Sequence, residues 1–109
     1  MFGEGIEAWV YGEEGYEGVL TEKVKYVREH VEELLRRAFS EEVVRGIQRF
    51  GKWVPGYPEV FLEIWVDAVV YVPKRDVTTV VFSNDSFLYG HYMEADFDGE
   101  WNCVGYEIC

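Results

Sequence analysis

The sequence predicts one α+β domain, a mostly antiparallel sheet of about five strands with two helices packed on one face. Three observations predict it. An apolar stripe recurs at helical spacing between residues 21 and 38, several short segments alternate apolar with polar residues, and turn formers separate those segments. At 109 residues and 49% hydrophobic content the chain can fill one core and not two, so residues 1–109 are read as a single domain.

Residues 6–11 set Ile6, Ala8 and Val10 against Glu7, Trp9 and Tyr11, the alternation of a half-exposed strand. Gly12 and Gly15 break it, and residues 16–20 read as a returning strand that closes an N-terminal hairpin. The glycines here lack the spacing of a phosphate-binding loop. Thr21 then reads as the N-cap of a helix over 21–38. Glu22 lies in its first turn, and Arg36 and Arg37 in its last, where the helix dipole favours them. Val24, Val27, Val31, Leu34, Leu35 and Ala38 form its apolar stripe and are expected to cover the sheet. His30, flanked by acids off this stripe, reads as a solvated residue. A second helix is expected over 41–50, capped by Ser40 and stopped by Gly51. Residues 52–58 form a loop around Pro55-Gly56. Residues 59–72 are read as a short helix to about Trp65 followed by a strand from about Asp67, and residues 77–83 as a further strand.

The C-terminal segment, residues 86–109, reads as a β-hairpin closed by Asp98-Gly99 in a two-residue type I′ turn. Counting outward pairs Phe97 with Glu100, Ala95 with Asn102, Met93 with Val104 and His91 with Tyr106. That register puts Tyr89, Met93, Ala95, Val104, Tyr106 and Ile108 inside. It puts Tyr92, Glu94, Asp96, Trp101, Cys103 and Glu107 on the outer face, with Asp98 and Glu100 at the tip. Cys103 and Cys109 lie about 20 Å apart on one strand, too far for a disulfide, and no histidine stands at zinc-ligand spacing.

Charge narrows the function classes. The net charge is −11, with six acids and no base in residues 1–22, and ten acids against two bases in residues 53–109. Such a chain repels nucleic acid and attracts basic proteins. No apolar run reaches membrane-spanning length, and the start lacks the basic segment of a signal peptide, so a cytoplasmic setting is expected. Asp96, Asp98 and Glu100 are spaced like part of a calcium loop, but Gly99 comes too early and no glutamate occupies the twelfth position. His91 points inward in the expected register, which favours a structural histidine over a catalytic one. No metal or cofactor is expected. The outer-face group, Tyr92, Glu94, Asp96, Asp98, Glu100, Trp101 and Glu107, has the composition of an interface with a basic partner.

Phe87, Gly90, His91, Tyr92, the Asp98-Gly99 turn and the apolar end at Val104 to Ile108 resemble a motif of small bacterial α+β domains. Many of these are encoded beside polymorphic toxins and regarded as immunity proteins. The likeness covers residues 20–108 in outline; the Tyr-Met pair after Gly90-His91 and the tight turn depart from the pattern. What it implies is an inhibitor that binds and blocks a toxic enzyme, with no chemistry of its own; the acidic balance points independently to a basic, nucleic-acid-cleaving one. Two other readings stand beside it: a phage- or virus-encoded inhibitor of a nucleic-acid-binding defence complex, and a small enzyme using His91 with a carboxylate.

Overall fold

A computed structural model of the protein describes residues 2–12, 14–40, 64–84 and 92–108. The expected helix at 41–50, the loop at 52–58, the motif residues Phe87, Tyr89, Gly90 and His91, and Cys109 lie outside these residues.

Among the described residues five strands form one sheet: β1 (Phe2–Val10), β2 (Ile64–Val72), β3 (Val77–Asn84), β4 (Met93–Phe97) and β5 (Cys103–Ile108), in the spatial order of the chain. The sheet is mixed, not mostly antiparallel as expected. β1 runs parallel to β2, while the other three ladders are antiparallel. The difference begins at residues 16–20. Expected to return beside β1, they instead open α1 (Glu17–Glu29). Leu20 stands four residues before Val24 and so extends the helical stripe backward. A chain that leaves β1 through helices can come back in the same direction, which a parallel pair requires and a hairpin forbids.

Tyr16, not Thr21, holds the N-cap position, and Thr21 sits inside the helix with its hydroxyl donating to the Glu17 carbonyl at 2.9 Å. The single helix expected over 21–38 is broken at His30, whose φ of −128° ends α1; α2 (Val31–Ala38) begins immediately after. The stripe survives the break. Val27, Val31, Leu34, Leu35 and Ala38 are all buried and join Val66, Val69, Val80, Phe82, Met93, Ala95 and Phe97 in one hydrophobic cluster, with Val24 packed at its margin.

β2 starts at Ile64, so Ile64 and Trp65 are extended and not helical as expected; they pair with Asn84 and Ser83 of β3. The β-branched content of the run decides the matter, because its residues pack on a pleated surface. A bulge at Asp67 then shifts the register between Val66 and Ala68.

Pairing fixes which side chains share a face, since directly opposed residues point the same way. One inner row runs Ala8, Val69, Val80, Ala95, Tyr106. The neighbouring outer row runs Glu7, Ala68, Val81, Glu94, Glu107, and the next outer row runs Trp9, Val70, Thr79, Asp96, Gly105.

The β4–β5 turn differs from the expected one. Asp98-Gly99 is not a two-residue turn; Trp101 N–H donates to the Asp98 carbonyl and Asp98 N–H to the Asn102 carbonyl, both at 3.0 Å, which encloses a three-residue loop. The positive φ such a loop needs falls on Trp101, at 66°. Gly99 serves another purpose. A Cβ there would lie 2.6 Å from Asp76 Oδ2, so glycine lets this turn approach the β2–β3 turn. The longer loop moves the register: Phe97 pairs with Cys103, Ala95 with Tyr106 and Met93 with Ile108.

Candidate functional site

Two acids define the outer face of the hairpin. Glu94 and Glu107 are directly opposed, at mid-strand on β4 and near the end of β5. Like charges in this position repel across a short distance, and among the described residues no base pairs with either. Asp96 lies two residues along β4 on the same face and accepts the Thr79 hydroxyl at 2.6 Å. Tyr92, just before β4, is exposed. Glu94, Asp96 and Glu107 are thus gathered on one surface, and exposed Tyr92 lies at its margin in the chain.

The other three are not part of it. Trp101, expected on the outer face, is buried. Its indole stacks on Tyr26 of α1 at a centroid distance of 4.3 Å and an interplanar angle of 6°. Tyr26 stacks on His30 at 3.9 Å, and two near-parallel rings this close must occupy opposite faces of the phenol. Lys23 Nζ lies 5.3 Å from the Trp101 ring centroid, within cation–π range. Arg37 donates to the Trp101 carbonyl and also pairs with Glu33 at 2.5 Å, which ties α2 to the turn. His30 is therefore a stacked residue at a helix junction, and its Nδ1 donates to the Tyr26 carbonyl at 2.9 Å.

Asp98 holds the turn together. One carboxylate oxygen accepts from the backbone N–H of both Glu100 and Asn102 at 2.9 Å. The Asn102 N–H bond leads the interactions that hold this carboxyl below its ordinary range. Glu100 is exposed at the tip. Asp96, Asp98 and Glu100 thus face three different surroundings, and among the described residues no group of three His, Cys, Asp or Glu side chains could hold a metal ion.

Cys103 also departs from its expected outward place. It pairs with Phe97 and packs at the margin of the core as a free thiol, and burial pushes its pKa up. Val104, Tyr106 and Ile108, expected inside, are exposed by 56%, 53% and 41%. Tyr106 and Ile108 do share the inner face with Ala95 and Met93, but among the described residues β5 is the last strand of the sheet, and its side chains there are only about half covered. Val104 falls at the register shift and is paired to nothing on β4.

One residue of the outer face was not connected to the site by sequence. Trp9 is 44% exposed and pairs with Val70 in the same row as Asp96. Alternation in β1 put it opposite the apolar side chains, but only the parallel β1–β2 pairing puts it on the face that carries the acids. Trp9, with Tyr92, supplies the exposed aromatic surface that had been assigned to Trp101.

Comparison with protein-family models, with curated proteins and with solved structures found no match. No helix among the described residues is long and apolar enough to cross a membrane.

Proposed function

We propose that this protein is a non-enzymatic acidic inhibitor of the immunity type, which binds and blocks a basic, nucleic-acid-cleaving enzyme in the cytoplasm. The observation that carries the reading is the unrelieved pair Glu94 and Glu107. Opposed like charges destabilise a sheet, so a cationic side chain placed between them gains two attractions and removes one repulsion. The rest of the outer face suits such a partner. Glu7 ends the same row on the far strand, half-buried Val81 lies in its middle beside buried Ala68, and Trp9 flanks it. In this reading α1 and α2 cover the inner face, which leaves the outer one open to the partner. A net charge of −11 adds long-range steering.

The test is capture of partners from the native host, followed by assay of each captured enzyme with and without the protein. A basic enzyme whose nucleic-acid cleavage falls in proportion to added protein is the expected result. Glu94→Lys combined with Asp96→Lys should then slow association and flatten its salt dependence. A captured enzyme that works unimpaired at saturation, or turnover by the protein itself, would overturn the reading.

A further inference from the structure

We propose that β5 accepts an extended segment of the basic partner as a sixth strand, with alternating apolar and Lys/Arg residues. The inference rests on the inhibitor reading and specifies how the partner is held. Three features carry it. β5 closes the order of the sheet, so one side of its backbone has no neighbouring strand among the described residues. Sheet edges of this kind are normally guarded by charged residues, proline, a bulge or a covering element; Cys103–Ile108 has a bulge and one charge, Glu107, but no lysine or proline, and exposes three large apolar side chains. The bulge at Val104 limits regular pairing to residues 105–108.

The surroundings fix the side chains of the added strand. On the inner side a groove of about 350 Å³ runs between α2 and β5, lined by Arg37, Ser40, Cys103 and Tyr106 among others. A strand laid beside β5, at the usual spacing of about 4.8 Å, directs every second side chain toward this groove and the exposed faces of Tyr106 and Ile108. The groove itself presents more polar than apolar surface, so the apolar side chains of the added strand are met by the exposed faces of Tyr106 and Ile108. The intervening side chains emerge on the outer face beside Glu107, with Glu94 one strand further in and within reach of a long cationic side chain. Backbone hydrogen bonds supply affinity and the two faces supply selectivity. A second copy of this chain fits poorly, because β5 against β5 brings together two chains of charge −11 and two copies of Glu107.

The full-length protein can be titrated with a capped heptapeptide alternating valine and lysine, followed by amide resonances, at low and high salt. Binding should shift and protect amides of residues 105–108. N-methylation of the peptide's edge-facing amides should weaken it at least tenfold, as should Val104→Lys with Ile108→Lys. The proposal is overturned if the parent peptide does not bind, or if a glutamate-for-lysine peptide binds as tightly. It is also overturned if sedimentation shows a dimer that Ile108→Lys dissolves, since the edge then belongs to a second copy. If N-methylation has no effect while Glu94→Lys with Glu107→Lys abolishes binding, the acids alone hold the peptide. The added strand then fails and the inhibitor reading stands.

Discussion

Ala95 and Tyr106 are directly opposed and point to the same side of the sheet, yet Ala95 is fully buried and Tyr106 is 53% exposed. Met93 and Ile108 repeat the contrast, at 0% and 41%. One face therefore changes from core to surface within a single strand spacing of about 4.8 Å. Alternation decides which face a side chain joins; the neighbouring layer decides whether that face is dry. Met93 and Ala95 of β4 join Leu34, Leu35 and Phe39 in one buried cluster. At β5 the apolar side chains stay about half exposed, and so bring only part of the roughly 1.5–3 kcal/mol that full burial of a large apolar side chain contributes.

The largest effects should lie on the buried side. Phe97→Ala removes a fully buried ring that also contacts Trp101 at 6.1 Å, and should destabilise by about 3–5 kcal/mol. Tyr106→Ala, on the same face one strand away and about half covered, should cost only about 1 kcal/mol. Urea melts of the two variants test the contrast directly. Similar losses for both would mean that β5 is covered after all.

Trp101 sharpens the comparison because it crosses from the hairpin into the core. Its φ of 66° places a bulky residue in the left-handed region, which costs about 1–2 kcal/mol, and the stack on Tyr26 offsets that strain. Two substitutions separate the terms. Trp101→Ala should lose packing and keep the strain, for a cost of about 3–5 kcal/mol. Trp101→Gly loses the same packing but releases the strain, and should be more stable than the alanine variant by about 1 kcal/mol. An alanine variant as stable as the glycine one would show that the turn is not strained.

The sequence made the local alternation legible and the long-range cover illegible. The inward choice of Met93 and Ala95 and the stripe from Val27 to Ala38 follow from periods of 2 and 3.6, which depend only on neighbours along the chain. The hairpin register depends on where a positive φ is taken, and Asp98-Gly99 is the chemically favoured place. Trp101 takes it instead because tertiary packing overrides local preference, which no spacing within the turn reveals. That displacement moved Cys103 to the inner side and Trp101 into the core. Likewise the parallel β1–β2 ladder, which brings Trp9 and Glu7 to the acidic face, depends on whether residues 16–20 turn back as strand or run on as helix. Glu94, Asp96 and Glu107 kept their expected face because β4 and the end of β5 obey simple alternation.

The inner face at the β2 end should show its own signature with pH. Tyr71 is 6% exposed, and its hydroxyl donates to Asp76 Oδ1 at 2.8 Å. Burial first, and then this bond and the charge behind it, push the phenol up from 10.0 to about 12. Below pH 10 both folded and unfolded chains hold the proton and the contribution is complete. As pH rises from there toward 12 the unfolded chain releases it while the folded one retains it, so stability falls and the contribution is lost through the folded value. Urea midpoints between pH 9 and 12 should therefore decline less steeply in Tyr71→Phe than in the parent. Parallel slopes for the parent and Tyr71→Phe would remove Tyr71 from the alkaline transition.

The smallest effect should appear on the outer face, and its sign is what matters. Glu107→Gln keeps the size and reach of the side chain while removing one of two opposed charges. Cross-strand pairs of this kind contribute about 0.2–1 kcal/mol, and exposure at the sheet edge places this pair toward the lower end. The substitution should therefore stabilise the protein by a few tenths of a kcal/mol at low ionic strength. The gain should shrink toward zero as salt shortens the screening length below about 8 Å. Repeating the measurement in Glu94→Gln closes a double-mutant cycle, and the second substitution should add little once the first has removed the repulsion. An outer face selected only for stability would not retain this pair. If Glu107→Gln destabilises the protein, the two carboxylates are not in conflict, and the strongest physical reason for placing a cationic partner over them is gone.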